Sequence, residues 1–386
     1  MTSGNKDRDI GIFWYISLAA FIVLILPPVL RFFVDVGERW IWILLFSGST
    51  SYVLMPVAIR ISKSRNYMDV PEGRKDHDNA TPILGGVPVV VAFIVSLAIN
   101  GVISPALFSV MVASLIIFVV GIMEDIFGVK EWIRLLAQAA AFGVVVSAGV
   151  VLKLFPPTPI GHVLDLALTF FWIVGITNAM NFIDGMDGLC GGITVVITSF
   201  LGIIAFQTDQ PDLGWLSIAL LGGVLGFIPF NFVPKKNARI FLGDAGSSFL
   251  GFVLASLAVL GEWSENDPLV SFSTPLIIFG VLIYDIIYTN VARIAKKQVK
   301  SFKELLSFVG RDHIHHRIAA QIGDRKLAVV FIISINTVFG LATIALRNAD
   351  FIVALVLVIQ TLLIFLLITI LEVGSKKRNR RKEDRR

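Results

Sequence analysis

The chain has 386 residues, of which 56% are hydrophobic and only 16% charged, with a mean hydropathy of +0.82. A soluble domain carries about 25% charged residues, so these numbers exclude a soluble enzyme. The single cysteine, Cys190, excludes an intrachain disulfide and any cysteine-held metal cluster, and the net charge of +5 gains meaning only when the charges are placed along the chain.

A helix needs roughly 20 mostly apolar residues to cross about 30 Å of hydrocarbon. Twelve stretches qualify, at about 10–33, 40–60, 83–100, 105–123, 134–151, 164–180, 189–206, 214–231, 246–262, 271–294, 327–346 and 351–373. No stretch sustains strand alternation. The expected fold is all-α, a polytopic membrane helix bundle of about 11–12 transmembrane helices. It forms one unit over 1–373 with a basic tail at 374–386. The first stretch shows no small-residue cleavage site and reads as an uncleaved helix.

Lys and Arg set the orientation. With the N-terminus inside, the inner segments hold 29 of the 33 basic residues, and the outer side keeps Arg31, Arg39, Lys153 and Arg347. Both termini are therefore expected in the cytoplasm, with the tail a solvated anchor near anionic lipid heads. The outer connections are short and nearly uncharged. The inner ones are longer and polar, so the chemistry is expected on the cytoplasmic face.

In chain order, the first inner motif runs Asp69-Val-Pro71-Glu-Gly-Arg74-Lys75-Asp-His77 and on to Gly85-Gly86. Its basic cluster reads either as ordinary positive-inside anchoring or as a loop that gathers an anionic substrate. The next inner helix end carries Glu124-Asp125. The densest motif is Asn178-Ala-Met-Asn181-Phe-Ile-Asp184-Gly-Met-Asp187-Gly188. A helical turn would put Asn178, Asn181 and Asp184 on one face. Phe241-Leu-Gly243-Asp244-Ala-Gly246-Ser247-Ser248 follows, where a small-residue turn opens a helix whose free N–H groups suit a phosphate. An Asp N-cap is the plainer alternative.

Five acids at one side of a membrane protein repel one another unless a divalent cation neutralises them. Hard oxygen ligands select Mg²⁺, Ca²⁺ or Mn²⁺, and Mg²⁺ takes one or two carboxylates plus substrate phosphates. The last motif, Gly310-Arg-Asp-His313-Ile-His315-His316-Arg317, reads as a phosphate clamp, a zinc site or a solvated loop. Its flanking Arg side chains argue for an anion. Acids, basic clusters and a membrane scaffold together suit phosphoryl transfer, where catalysis is positioning and charge neutralisation. A secondary transporter would instead place its acids near the midplane of inverted repeats. A bare membrane scaffold explains the tail but none of the motifs.

NAMNFIDGMDGL, FLGDAGSS, HIHHR and DVPEGRKDHDNATPILGG, in order between Asp69 and Arg317, resemble the polyprenyl-phosphate N-acetylhexosamine-1-phosphate transferases, glycosyltransferase family 4. The H-x-H-H-R and R-K-x-H forms look closest to the branch that transfers GlcNAc-1-phosphate. The resemblance implies that UDP-GlcNAc and undecaprenyl phosphate give undecaprenyl-diphosphate-GlcNAc and UMP. It also implies Mg²⁺ dependence with Mn²⁺ as a substitute, a bacterial plasma membrane location, the bilayer as partner, pairing of two copies, and no nucleic acid. Other UDP-N-acetylhexosamines and UDP-MurNAc-pentapeptide remain alternative donors.

By matching motif, the resemblance implies that Asp244 and Asn181 ligate Mg²⁺. Phe241 and Asp187 hold the uracil, and Asp184 lies near the ribose and phosphates. His315, His316 and Arg317 contact the donor diphosphate or sugar, with His313 in support. Arg74, Lys75, His77 and Gly243 join the substrate-binding set, and Asp125 lies near the acceptor phosphate. The sequence departs from the family in having Glu124-Asp125 where Asp-Asp is usual, and two helices rather than one before the R-K-x-H loop. The stretch 10–33 accordingly reads as an added helix.

Overall fold

The structure, a computed structural model, describes residues 8–70, 80–101, 104–233, 236–264, 268–299, 304, 310 and 312–383. Arg74, Lys75 and His77 lie outside the described residues. Every one of the twelve apolar stretches is helical, although two of them are broken in the middle.

The first stretch divides into α1 (Arg8–Leu24) and α2 (Pro27–Asp35), bent by 77°. Pro27 and Pro28 have no N–H to continue the α1 ladder, but they suit the first turn of a new helix. None of the residues of α2 is fully buried, and Val29, Leu30 and Phe33 lie partly covered against the core. α3 (Arg39–Arg65) follows and ends at Asn66, in the left-handed conformation with φ 58°; Tyr67 N–H then donates to Ser62 O at 2.8 Å.

Two short strands, β1 (Met68–Asp69) and β2 (Thr81–Pro82), pair antiparallel and bring together the chain on either side of residues 71–79. Next come α4 (Gly86–Asn100), α5 (Pro105–Phe127) and α6 (Glu131–Ser147). α7 (Pro159–Ile183), α8 (Leu189–Gln207), α9 (Pro211–Asn231) and α10 (Gly243–Leu260) complete the centre of the chain. Sequence-local caps fix several starts. Ser104 accepts from Leu107 N–H at 3.3 Å, and Thr158 from Gly161 N–H at 3.0 Å, each with proline at the first helical position.

The second broken stretch is α11 (Pro268–Ile278) with α12 (Gly280–Ala295), bent by 72° where Pro275 and Gly280 interrupt the ladder. α13 (Ile314–Ile322), α14 (Arg325–Leu346) and α15 (Phe351–Glu383) close the chain. By length and composition, eight of the described helices can each cross a membrane, or ten spans if each bent pair counts as one. α4 and α6, with 15 and 17 residues, account for the other two stretches.

Lipid supplies no hydrophobic drive between helices, so close approach and internal hydrogen bonds hold the bundle. α3 lies tightly on α9, where Gly48 and Gly222 bring the two backbones together and Ser47 Oγ–H donates to Ala219 O at 2.6 Å. α10 packs on α5, α7 and α4 and is the most enclosed span, 78% buried, whereas α15 is the least, at 22%. The helix that starts at Asp244 is therefore the axis of the molecule.

Candidate active site

α5, α7 and α10 bring their acid-bearing ends together at one end of the bundle. Asp125, near the end of α5, accepts hydrogen bonds from the backbone N–H groups of Asp244 (2.8 Å) and Ala245 (3.1 Å). The expected phosphate at this helix start is thus met by a different arrangement, because Asp125 already satisfies two of its free N–H groups. Both oxygens of Asp125, the residue expected near the acceptor phosphate, take part in holding α10. Gly243 makes the approach possible. Its φ is +79°, and a Cβ there would stand 2.6 Å from Asp125 Oδ2.

Asn181 Nδ2 donates to Asp244 Oδ1 at 2.8 Å and to Ser247 Oγ at 3.1 Å. The amide thus turns its NH₂ group, rather than its oxygen, toward Asp244. Asn181 and Asp244, the two residues expected to ligate Mg²⁺, are thus neighbours, and in this geometry Asn181 orients the carboxylate. Asn178 does not join them. Residues three apart on a helix are rotated by about 300°, which turns Asn178 onto α6, where its amide pairs with Gln138 at 3.2 Å.

Asp184 caps the end of α7. Burial pushes its carboxyl well above the usual carboxylate range, and the charges of Asp244, Asp125 and Asp187 push it further. Asp187 Oδ2 accepts from Ala238 N–H at 2.9 Å, tying the Asp184–Asp187 turn to the segment before α10. Glu124 looks toward α6 instead, and its carboxylate pairs with Arg134 at 2.8 Å.

Phe241 is held from both sides by its backbone. Its N–H donates to Pro82 O at 2.7 Å, and its carbonyl accepts from Gly85 N–H at 2.9 Å. The paired strands beside residues 71–79 are thereby fastened to the segment that leads into Asp244. Asn231, which the sequence reading passed over, is the joint between the two acid-bearing segments. Its Oδ1 accepts from Gly188 N–H at 2.6 Å while its Nδ2 donates to Ile240 O at 3.0 Å. A polar side chain inside an apolar helix was the signal that could have found it.

The histidine motif divides by role. His315 is 1% exposed, and its Nε2 lies against Gly185, where a Cβ would come within 2.7 Å of it. Neither ring nitrogen of His315 has a hydrogen-bond partner among the described residues. Burial lowers its pKa well below the usual imidazole range, followed by the charges of His316, His313, Arg325 and Arg317, so the ring is neutral. His316 stacks beside it, ring centroids 4.2 Å apart, and is half-buried.

His313 and Arg317 point elsewhere. His313 Nδ1–H donates to Asp285 Oδ2 at 2.7 Å, and its ring packs on Phe182. Arg317 pairs with Glu372 Oε2 at 2.9 Å and covers the Tyr288 ring at 4.0 Å. Arg317, expected to contact the donor diphosphate or sugar, is buried and directs its Nε to Glu372 and its Nη1 to Asp312 O. Asp285 and Glu372 were not among the expected site residues. Each is an acid within an apolar run, a pattern that marks intramembrane function or pairing.

No three His, Cys, Asp or Glu side chains among the described residues form a ready-made metal cage. Asp244, whose carboxylate Asn181 orients, and Asp184, at the end of α7, are hard oxygen donors at this end of the bundle. That donor set fits a cation such as Mg²⁺, which keeps waters and takes phosphate oxygens as further ligands.

The fold and site define a multi-pass helical membrane protein that carries acids of α5, of the turn after α7 and of α10 at one end, with His315 against that turn. The sequence pattern of glycosyl transferase family 4 matches residues 107–262. A probable undecaprenyl-phosphate N-acetylglucosaminyl 1-phosphate transferase of Bacillus subtilis is 32% identical over 323 residues, covering 82% of this chain and 87% of the relative. An undecaprenyl-phosphate alpha-N-acetylglucosaminyl 1-phosphate transferase of Yersinia pestis is 27% identical over 338 residues, 85% of this chain and 88% of its own. A phospho-N-acetylmuramoyl-pentapeptide-transferase of Listeria monocytogenes is 30% identical over 235 residues, 55% of this chain and 71% of its own. The chain belongs to glycosyl transferase family 4, the polyprenyl-phosphate N-acetylhexosamine-1-phosphate transferases.

Proposed function

We propose that this protein transfers GlcNAc-1-phosphate from UDP-GlcNAc to undecaprenyl phosphate at the cytoplasmic face of a bacterial plasma membrane, releasing UMP. The observation that carries the reading is the junction at Asp244, whose backbone N–H is held by Asp125 of α5 and whose carboxylate is held by Asn181, three residues before Asp184 on α7. Carboxylates crowd in this way at a helix-bundle end where anionic substrates must be met through a divalent cation. The excess of Lys and Arg on the same side supports the cytoplasmic placement. A transporter is disfavoured because these acids stand at helix ends rather than near a midplane.

Asp244 and Asp184 would hold the cation, with Asn181 fixing the carboxylate of Asp244 by its hydrogen bond. When bound, Mg²⁺ neutralises the donor diphosphate and makes its phosphorus accessible to an anion. The side chain of Phe241, presented by its clamped backbone, stacks on the uracil. Asp187, with one oxygen on Ala238, uses the other to accept a ring N–H. His315 is neutral and borders the Asp184–Gly185 turn, so it can donate to an oxygen of the donor without adding charge; His316 stands beside it. Asp125 keeps α10 in register.

The acceptor phosphate is already largely ionised at pH 7, its second pKa being about 6, so no strong base is required. Its oxygen attacks the β-phosphorus, the bond to the UMP oxygen breaks, and UMP leaves. Radiolabel from UDP-[¹⁴C]GlcNAc should pass into an organic-soluble lipid with one UMP released per transfer. No transfer by folded protein in the presence of both substrates and Mg²⁺ would sink the reading. The similarity to phospho-N-acetylmuramoyl-pentapeptide-transferases makes UDP-MurNAc-pentapeptide the second donor to test, and preferential transfer from it would replace GlcNAc.

A further inference from the structure

α15 faces lipid along most of its length, with Leu362, Leu363, Leu366, Leu367, Ile370 and Leu371 all exposed. Its inward stripe consists of Ala354, Thr361, Phe365, Ile368 and Glu372, spaced at helical intervals. Four of these are apolar or small, and the fifth is a carboxylate with no exposed surface at all. A charge so placed is costly unless it is paired.

The partner of Glu372 is Arg317, whose Nε–H donates to Glu372 Oε2 at 2.9 Å. The guanidinium is itself anchored. Nη1–H donates to Asp312 O at 2.7 Å, Asp285 Oδ1 lies 3.7 Å away, and the Tyr288 ring lies beneath it at 4.0 Å. Arg317 stands two residues beyond His315 on the same nine-residue helix, α13. Among the described residues, the ring of His315 has no hydrogen bond of its own to hold it against Gly185. Its place at the acid-bearing turn is therefore set by how α13 is docked.

α13 is docked at its start by Asp285, through His313 and the N–H of Ile314, and farther along by Glu372 through Arg317. α15 is aligned on α12 by Tyr284, whose OH lies 2.7 Å from Thr369 Oγ1 and whose ring stacks on Phe365.

We propose that Glu372, at the inner end of α15, is a positioning residue. Through Arg317 it holds α13 so that His315 lies against the Asp184–Gly185 turn. It lies more than a hundred residues beyond the segment 107–262 that matches the family pattern, and it touches none of the acids. Its part in turnover rests on the function proposed above, whereas its part in geometry does not.

Two arms test it on the full-length protein in detergent. In the first, without substrate, diethyl pyrocarbonate labels unprotonated imidazoles and mass spectrometry assigns the rate at each histidine. The exposed His162, on α7, serves as the internal reference. In the wild type His315 should label at least tenfold more slowly than His162. Glu372→Gln, and separately Arg317→Lys, which keeps the charge but loses the planar fork, should raise the His315 rate about tenfold with His162 unchanged. His315 as protected as in wild type in either monodisperse variant overturns the proposal. So does loss of monodispersity in both variants with all inner histidines labelled alike, since that assigns the pair to stability alone.

In the second arm, Glu372→Gln should raise the KM for UDP-GlcNAc about tenfold and leave the KM for undecaprenyl phosphate unchanged. A mere loss of active molecules cannot move a KM. In a His315→Ala background the same substitution should add less than twofold, because both act through one contact. Additive effects overturn the proposal. A wild-type protein inactive with UDP-GlcNAc sinks the proposed function and leaves the labelling arm to decide this one.

Discussion

The carboxylate of Asp125 grips the backbone of Asp244, accepting its N–H at 2.8 Å and that of Ala245 at 3.1 Å. The end of one helix therefore serves as the cap of another, 119 residues away in sequence. Loss of a side-chain cap costs about 0.5–2 kcal/mol, and here it would also release the residue expected to carry the cation. Asp125→Ala should lower turnover at least a hundredfold together with the melting temperature. Asp125→Asn, which keeps one acceptor oxygen but turns an NH₂ toward the second N–H, should fall between. Near-normal turnover by Asp125→Ala would remove Asp125 from the site.

Gly185 offers a steric test. A Cβ there would stand 2.7 Å from His315 Nε2, closer than van der Waals contact allows. Gly185→Ala is expected to displace the imidazole and cut turnover at least tenfold while the protein stays monodisperse. An unaltered rate would mean that the position of His315 does not matter to the reaction.

Stripping divalent ions with EDTA should abolish transfer, and readdition of Mg²⁺ should restore it, with Mn²⁺ substituting. Asp244→Asn should need a higher Mg²⁺ concentration for half-maximal rate. Asn181→Leu, which removes the hydrogen bond to Asp244, should shift it in the same direction by a smaller factor. Full activity in chelator would remove the cation from the chemistry.

Protonation gives a fourth expectation. His315 is held neutral in the folded protein, whereas in an unfolded chain it takes up a proton near pH 6.5. Above that pH both states are neutral and the group contributes nothing to pH dependence. As pH falls below about 6.5 the unfolded state binds more protons, so stability is lost, by at most about 1.4 kcal/mol per pH unit from this one group. His315→Gln should flatten the decline of melting temperature between pH 6.5 and 5. An identical decline in wild type and variant would contradict the assignment.

Glu124 pairs with Arg134 at the rim, where both side chains are partly exposed. Such pairs are worth no more than about 1 kcal/mol. Glu124→Gln is therefore expected to retain turnover within about threefold. A loss of a hundredfold would return Glu124 to the chemistry.

The helical stretches and the acid-bearing motifs were legible because hydropathy and spacing are local properties. The bends at Pro27 and Gly280 were less so, since an apolar run does not say whether its helix is straight. The motifs show which acids stand at helix ends, but what each one grips depends on long-range packing. Sequence spacing could not show that Asp125 would spend both oxygens on α10, or that Asn178 would turn to Gln138. Arg317 is a like case: its partner Glu372 lies 55 residues on, in a helix read as purely hydrophobic. Asp285 and Glu372 stood in plain view as acids within apolar runs. Their partners, His313 and Arg317, lie 28 and 55 residues away, a distance that local spacing does not bridge.

The pairing of Met68 with Pro82 and of Asp69 with Thr81 has a consequence for the helix that begins beside Asp244. Phe241 N–H donates to Pro82 O, so the small ribbon and the approach to α10 form one hinge-free piece. A change that unzips the ribbon therefore also loosens the footing of the carboxylate at the head of α10.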